Sequence, residues 1–297
     1  MVEKLFSDEI IPSDDLYRIY RDEKRLADHK SYVENLWVNY FPYADKDFPK
    51  QLPHDFQARF WEMYLTCTLV GKSYTVIPKQ KRAEGPDIKM SYASTTIWIE
   101  AVAPTGGDVG RPDSVPSPIM GIAQQVPDDQ MILRYRSAIH DKYYDKYFKY
   151  LDNETIRSDD CYIIALNGSR LPWHGSDLHI PRIVRSVLPF GSPQVTVDKK
   201  SRKVVNTGYQ YRSSLRKASG QKIDTDIFVK SEYSHISAVL FSRVDAANLT
   251  PAMGDDFIIV RNPLASRELP DDFPKVGIEY KAELSETTIK LLSRNMG

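Results

Sequence analysis

A glutamate stands inside an otherwise apolar run, Ile97-Trp98-Ile99-Glu100-Ala101-Val102-Ala103, and this placement constrains the fold more than any bulk property does. A short, β-branched and aromatic run of this kind reads as a strand. A carboxylate within it is costly to bury alone, so Glu100 must reach a sheet edge, a partner or a metal ion. A second acid, Asp87, follows Gly85-Pro86 at the start of PDIKMSY (86–92), and the small pair Ala93-Ser94 joins that segment to TTIWIEAVA (95–103). The two segments read as a hairpin, with one carboxylate on each of two neighbouring strands.

The surrounding pattern supplies helices and further strands. In 52–71, Phe56, Phe60, Met63, Cys67 and Val70 recur at steps of four, three, four and three, the stripe of a helix stopped by Gly71. Residues 73–78 (SYTVIP) read as a short strand, followed by a charged turn, KQKRAEG. RYRSAIHDKYYDKYFKYL (134–151) is a second helix with Ile139, Tyr143, Tyr147 and Tyr150 as its apolar stripe, and CYIIALNGS (161–169) is a buried strand ended by Asn167-Gly168. Between Glu100 and that second helix, residues 104–127 hold nine Gly or Pro residues, the clearest loop of the chain. A loop of this length in a compact domain is usually functional or mobile. The order is helix, three strands, helix, strand. The expected fold is therefore α/β, a mixed sheet with flanking helices, with a helical extension over 1–51, a core over 52–169 and a C-terminal α/β extension over 170–297 packed on the core. Strands are expected in that extension at 235–245 and 256–262, and a hairpin at 195–205.

Composition narrows the function classes. Lys+Arg and Asp+Glu each total 40 in 297 residues, so the formal charge is zero and no strong basic excess points to nonspecific nucleic-acid binding, although a local basic groove remains compatible. The two cysteines, Cys67 and Cys161, sit in apolar runs and read as buried thiols of a reducing compartment. No apolar run approaches the ~20 residues of a membrane span, and the N-terminal residues lack the basic-then-apolar pattern of a secretory signal. A cytoplasmic location and no membrane partner are expected. The six histidines show no metal-ligand spacing. His235 reads as structural, and the chain contains no G-x-S-x-G elbow, Walker A loop or GxGxxG.

GPDIKM, a short turn and then IWIEAVA resemble the PD…(D/E)XK motif of the PD-(D/E)XK nuclease superfamily, which includes many restriction and repair nucleases. The resemblance covers roughly 52–169, and its restriction-endonuclease-like core has the element order αβββαβ. It implies Mg²⁺-dependent hydrolysis of phosphodiester bonds in nucleic acid, DNA above all, with Mn²⁺ as a substitute ion. It assigns Asp87 and Glu100 to the metal and adds Glu62, about 120° from the stripe centre of the first helix, as a further acid. Two hard carboxylates suit Mg²⁺, which polarises a phosphoryl oxygen and activates bound water. The chain departs from the motif at one place: Val102 stands two residues after Glu100, where the motif lysine belongs.

Either the lysine has migrated or hydrolysis is lost. Lys142, beside the buried stripe of the second helix, ranks first as replacement. Lys89, two residues after Asp87 on the same strand face, ranks second. Gln124 and Gln125 carry no charge and are limited to orienting water. Arg111, the only basic residue of the 104–127 loop, together with Arg134 and Arg136, are candidate substrate contacts. Plainer roles exist for each acid: Asp87 as a turn cap, Glu100 as the outward residue of a half-exposed strand, Glu62 as a helix-surface charge. Lys142, Lys146 and Lys149 also read as a solvated basic edge. The alternative function is a catalytically inactive relative that binds nucleic acid or protein, and the sequence permits a homo-oligomer.

Overall fold

The computed structural model describes residues 3–177 and 179–297. The chain opens with α1 (Asp15–Asp22), α2 (Ala27–Tyr40), α3 (Phe48–Gln51) and α4 (Phe56–Gly71). Asp14 caps α1 by accepting from the backbone N–H groups of Leu16 and Tyr17. Strands β1 (Thr75–Ile77), β2 (Ile88–Tyr92) and β3 (Thr95–Val102) follow, then α5 (Asp128–Asp141), a π-turn (Lys142–Tyr147), α6 (Phe148–Asp152) and β4 (Cys161–Asn167). The β2–β3 turn is the one expected: Ala93 and Ser94 both have positive φ, 48° and 60°, as a tight hairpin turn of primed type requires. Residues 103–127 form no helix or strand, as the Gly/Pro density predicts.

The remaining elements are α7 (Arg182–Arg185), β5 (Phe190–Val197), β6 (Val204–Tyr211), β7 (Ser214–Arg216), β8 (Lys222–Asp224), β9 (Ala238–Ser242), β10 (Ile258–Arg261), β11 (Ile278–Leu284) and β12 (Ile289–Asn295). One eight-stranded mixed sheet has the order β1-β2-β3-β4-β9-β10-β11-β12. β1, β2 and β3 are antiparallel neighbours, whereas β3, β4 and β9 run parallel. The C-terminal residues thus do more than pack on the core: they continue its sheet from β9 to β12. The hairpins β5–β6 and β7–β8 stand apart from that sheet.

β4 is buried along its whole length, as a central parallel strand covered on both faces must be. Ile97 and Ile99 on one face of β3 join Phe60, Trp61 and Leu65 of α4 in one core. Trp98 on the other face joins Met131, Tyr135, Ile139, Tyr143 and Tyr147 in a second. The architecture is therefore three layers, helices over both faces of the sheet. α4 is buried on nearly every side, from Phe56 to Leu69, because α2 packs behind it. Both cysteines are free and buried, as expected. Among the described residues no helix is long and apolar enough to cross a membrane.

Candidate active site

The register of the β2–β3 hairpin fixes the position of the two central acids. Ile88 pairs with Ile99, and one residue further along Asp87 stands opposite Glu100. Directly opposed residues of an antiparallel pair project to the same face. The Asp87 Oδ2 accepts a hydrogen bond from the backbone N–H of Ala101 at 2.8 Å, which locks the acid against β3. The Pro86-Asp87 turn is held from outside by Arg82, whose Nη2 donates to the carbonyls of Pro86 and Asp87 at 2.7 and 2.8 Å. Gly85 fits there because a Cβ would stand 2.7 Å from the Thr155 methyl and 3.2 Å from the Trp98 ring.

Glu100 is only 4 % exposed. Its Oε1 receives the Lys142 ammonium at 2.6 Å, and its Oε2 has only a long contact, 3.5 Å, from the Tyr150 hydroxyl. Burial pushes its pKa up to about 7; Asp87 beside it adds to the rise, and Lys142 opposes it. Burial pulls the Lys142 ammonium down, but the charges of Glu100 and Asp87 outweigh it and hold the group above its ordinary value. Lys142 opens the π-turn, Lys142–Tyr147. Such turns are rare and occur often at functional sites.

Glu62, expected at a boundary of α4, is buried at 1 % exposure. Its Oε1 accepts from the Tyr40 hydroxyl at 2.6 Å and from Lys79 at 2.5 Å, and its Oε2 accepts from Arg59 at 2.7 Å. Burial and then Asp87 raise its pKa, against the pull of Lys79 and Arg59. Lys79 also lies 3.7 Å from the Asp87 Oδ1 and 3.4 Å from Asp45. Asp87 is thus the link between the Glu62 cluster and the Glu100–Lys142 pair, and it joins the three predicted acids in one electrostatic network.

The other predicted residues go elsewhere. Lys89 lies over the Trp98 ring, 4.5 Å from its centre, with no bond to either acid. Arg134 donates to the Thr105 carbonyl at 2.8 Å and braces the start of the 104–127 loop. Arg111 is exposed within that loop. Arg136 is buried, and its Nε donates to the Asp224 carbonyl. His235 stacks on Tyr147. Sequence reasoning missed Tyr40, Arg59, Lys79 and Tyr150. Lys79 lies in the charged turn after β1, and its only signal in the sequence is proximity to the Gly85-Pro86-Asp87 turn.

Among the described residues no group of three or more His, Cys, Asp or Glu side chains forms a metal cage. The donor chemistry nevertheless suits a hard cation that keeps most of its waters. Among the described residues no short hydrogen bond reaches Asp87 Oδ1, which has Lys79 at 3.7 Å, or Glu100 Oε2, which has the Tyr150 hydroxyl at 3.5 Å, and Mg²⁺ is commonly held by one or two carboxylates together with substrate phosphate. Glu62, with both oxygens engaged by Tyr40, Arg59 and Lys79, is left in a supporting position. Comparisons found no match to this chain among protein-family models, curated proteins or solved structures.

Proposed function

We propose that the chain hydrolyses phosphodiester bonds of nucleic acid, DNA in the first place, with Mg²⁺ or Mn²⁺ held by Asp87 and Glu100. The observation that carries this reading is the pairing of Asp87 and Glu100 across one hairpin with an ammonium, Lys142, 2.6 Å from Glu100. This set resembles the acid–acid–cation arrangement of the PD-(D/E)XK superfamily, with the cation supplied by the second helix instead of position 102.

When bound, the divalent ion would polarise a phosphoryl oxygen and lower the pKa of water. The protein's own residues supply the rest. Asp87 is fixed by the Ala101 N–H, so its remaining oxygen needs little reorganisation to bind. Lys142 stays protonated, because Glu100 and Asp87 hold its pKa up. It therefore acts as a fixed positive charge for the negative charge that develops at phosphorus and not as a base. Glu100 would hold the ion through Oε2 while its Oε1 keeps the Lys142 ammonium at 2.6 Å. Arg59 and Lys79 neutralise Glu62 and steady Asp87 from the other side.

The test is cleavage of labelled duplex and single-stranded DNA in Mg²⁺ and Mn²⁺. Wild type is expected to cut, and Asp87→Asn and Glu100→Gln to lose at least about 10²–10³-fold in rate. Cutting that survives both substitutions overturns the assignment. The second reading, an inactive nucleic-acid or protein binding module, draws on Val102 at the motif position and on the zero formal net charge. DNA binding in EDTA with no cleavage in either metal favours it.

A further inference from the structure

A second basic site lies on the far side of α5. Leu133, Arg136, Ser137 and His140 follow each other at helical steps of three, one and three and so share one face of that helix. The β7–β8 hairpin closes over this face. Its Leu215 and Ile223 pack with Ile132 and Leu133 in a small core of their own. Beside this core a cavity of about 230 Å³ opens between α5 and the hairpin, lined by Arg136, His140, Lys217, Lys222, Asp224 and Tyr233 among others.

Charge in this cavity is unbalanced. Arg136 is 3 % exposed, and its Nη1 is buried with no hydrogen-bond partner. Its Nε donates to the Asp224 carbonyl, its side chain also hydrogen-bonds that of Tyr233, and its guanidinium carbon lies 5.7 Å from the centre of the Tyr233 ring. Burial holds its pKa below the ordinary value, more than Tyr233 and Asp224 restore. The one acid of the lining, Asp224, is already paired with Lys230 at 2.6 Å. Lys217 and Lys222 form no ion pair with any described acid. Three cations thus border a cavity whose only carboxylate is spoken for, and one of them keeps an unused donor in the wall. A buried guanidinium in that state wants a planar or tetrahedral oxyanion.

We propose that this cavity binds a phosphate group, with Arg136 as its floor and Lys217 and Lys222 as its rim. The inference goes beyond the hydrolysis reading and needs no metal. The hairpin over the site also touches the loop that follows β3. Asp113, in the loop that leaves β3 just after Glu100, accepts from the backbone N–H of Ala218 at the hairpin tip at 2.7 Å. Along α5, Arg136 and Lys142 are six residues apart, about 9 Å of helix rise.

The experiment measures binding of inorganic phosphate, and separately of a labelled single-stranded oligonucleotide, in EDTA, so that neither hydrolysis nor metal enters. Arg136 is buried, and its replacement risks the fold, so the exposed rim is changed instead. Lys217→Gln with Lys222→Gln should weaken phosphate binding by about tenfold, and Gln221→Lys, at the same hairpin tip, should strengthen it. The two changes have opposite expected signs, so misfolding cannot mimic the pair. If phosphate displaces the oligonucleotide from wild type, the site serves a nucleic-acid backbone. If phosphate binds and the oligonucleotide is indifferent to it, the ligand is a free phosphate compound; either result supports the site. No phosphate binding by wild type, or identical affinities in all three proteins, overturns it. Loss of cleavage with phosphate binding intact would count against the hydrolysis reading alone.

Discussion

Glu62 and Glu100 are both buried glutamates, each touched by a lysine, on helix α4 and strand β3 respectively. Their remaining contacts differ. Tyr40, Lys79 and Arg59 occupy both oxygens of Glu62 at 2.5–2.7 Å. Glu100 spends one oxygen on Lys142 and leaves the other with a single 3.5 Å contact. The first is a closed polar network, of the kind that holds a core in one arrangement. The second keeps coordinating capacity in reserve. Burial of a charge is common to both, so burial does not separate a supporting acid from a reactive one; the count of unsatisfied lone pairs does.

The largest effect should come from breaking the closed cluster. Glu62→Leu leaves Arg59 without its carboxylate and Lys79 with only the longer Asp45 and Asp87 contacts, both cations partly buried, and uncompensated buried charge typically costs about 3–5 kcal/mol. Urea unfolding should show that loss, while Glu100→Gln stays within about 1 kcal/mol near neutral pH, because an amide removes a carboxylate that burial already disfavours. Equal losses would erase the distinction between the two sites.

Next in size is the lysine. Lys142→Ala should slow metal-dependent cleavage about 10²-fold with little change in the unfolding midpoint. A partial recovery in the Lys142→Ala, Val102→Lys double variant would show that the charge matters more than the element that carries it. Cleavage by Lys142→Ala at the wild-type rate would remove that residue from the site.

A smaller effect is expected from pH. The folded-state pKa of Glu100 is raised from 4.5 to about 7, so the native protein binds the extra proton between those values. Stability should therefore fall as pH rises from 4.5 toward 7 and level off above. The melting temperature of Glu100→Gln should lack that component. Mn²⁺ binding should run the opposite way, tightening up to about tenfold per pH unit below 7, because the ion displaces the proton. Calorimetry across the range checks both signs.

The smallest effect concerns Lys89, which lies over Trp98. Lys89→Ala should cost about 0.5–1 kcal/mol of stability and change the cleavage rate less than Lys142→Ala does. A larger kinetic loss would return Lys89 to the list of catalytic candidates.

Much of this was legible before any coordinates. The hairpin carrying Asp87 and Glu100 announces itself through an apolar run with one acid and two small turn residues, and Ala93 and Ser94 adopt the positive φ that such a turn needs. Lys142 could be ranked first because it flanks a buried stripe at known helical spacing. Lys79 could not be found that way. It lies in a short 3₁₀ turn, Lys79–Lys81, where no periodicity operates, and its partner Glu62 is on another element. Glu62 was misjudged for a related reason: a single helix reports one stripe, whereas α2 covers the back of α4, a fact of tertiary packing. The strands β11 and β12 escaped notice because their burial alternates weakly at the sheet's edge, with most of β12 exposed.

The π-turn at Lys142–Tyr147 acts as a vernier. In a regular helix each four-residue step overshoots a full turn by about 40°. The stripe Tyr135, Ile139, Tyr143, Tyr147 takes three such steps, and yet all four side chains stay buried in the same core. A wider turn undershoots where the regular one overshoots, and so returns the later tyrosines to the sheet while Lys142 keeps its aim at Glu100. The direction of the stripe is then set by chain length as much as by its neighbours: removing Tyr144 would restore the regular step and turn the later tyrosines off the sheet, with no charged side chain deleted at all.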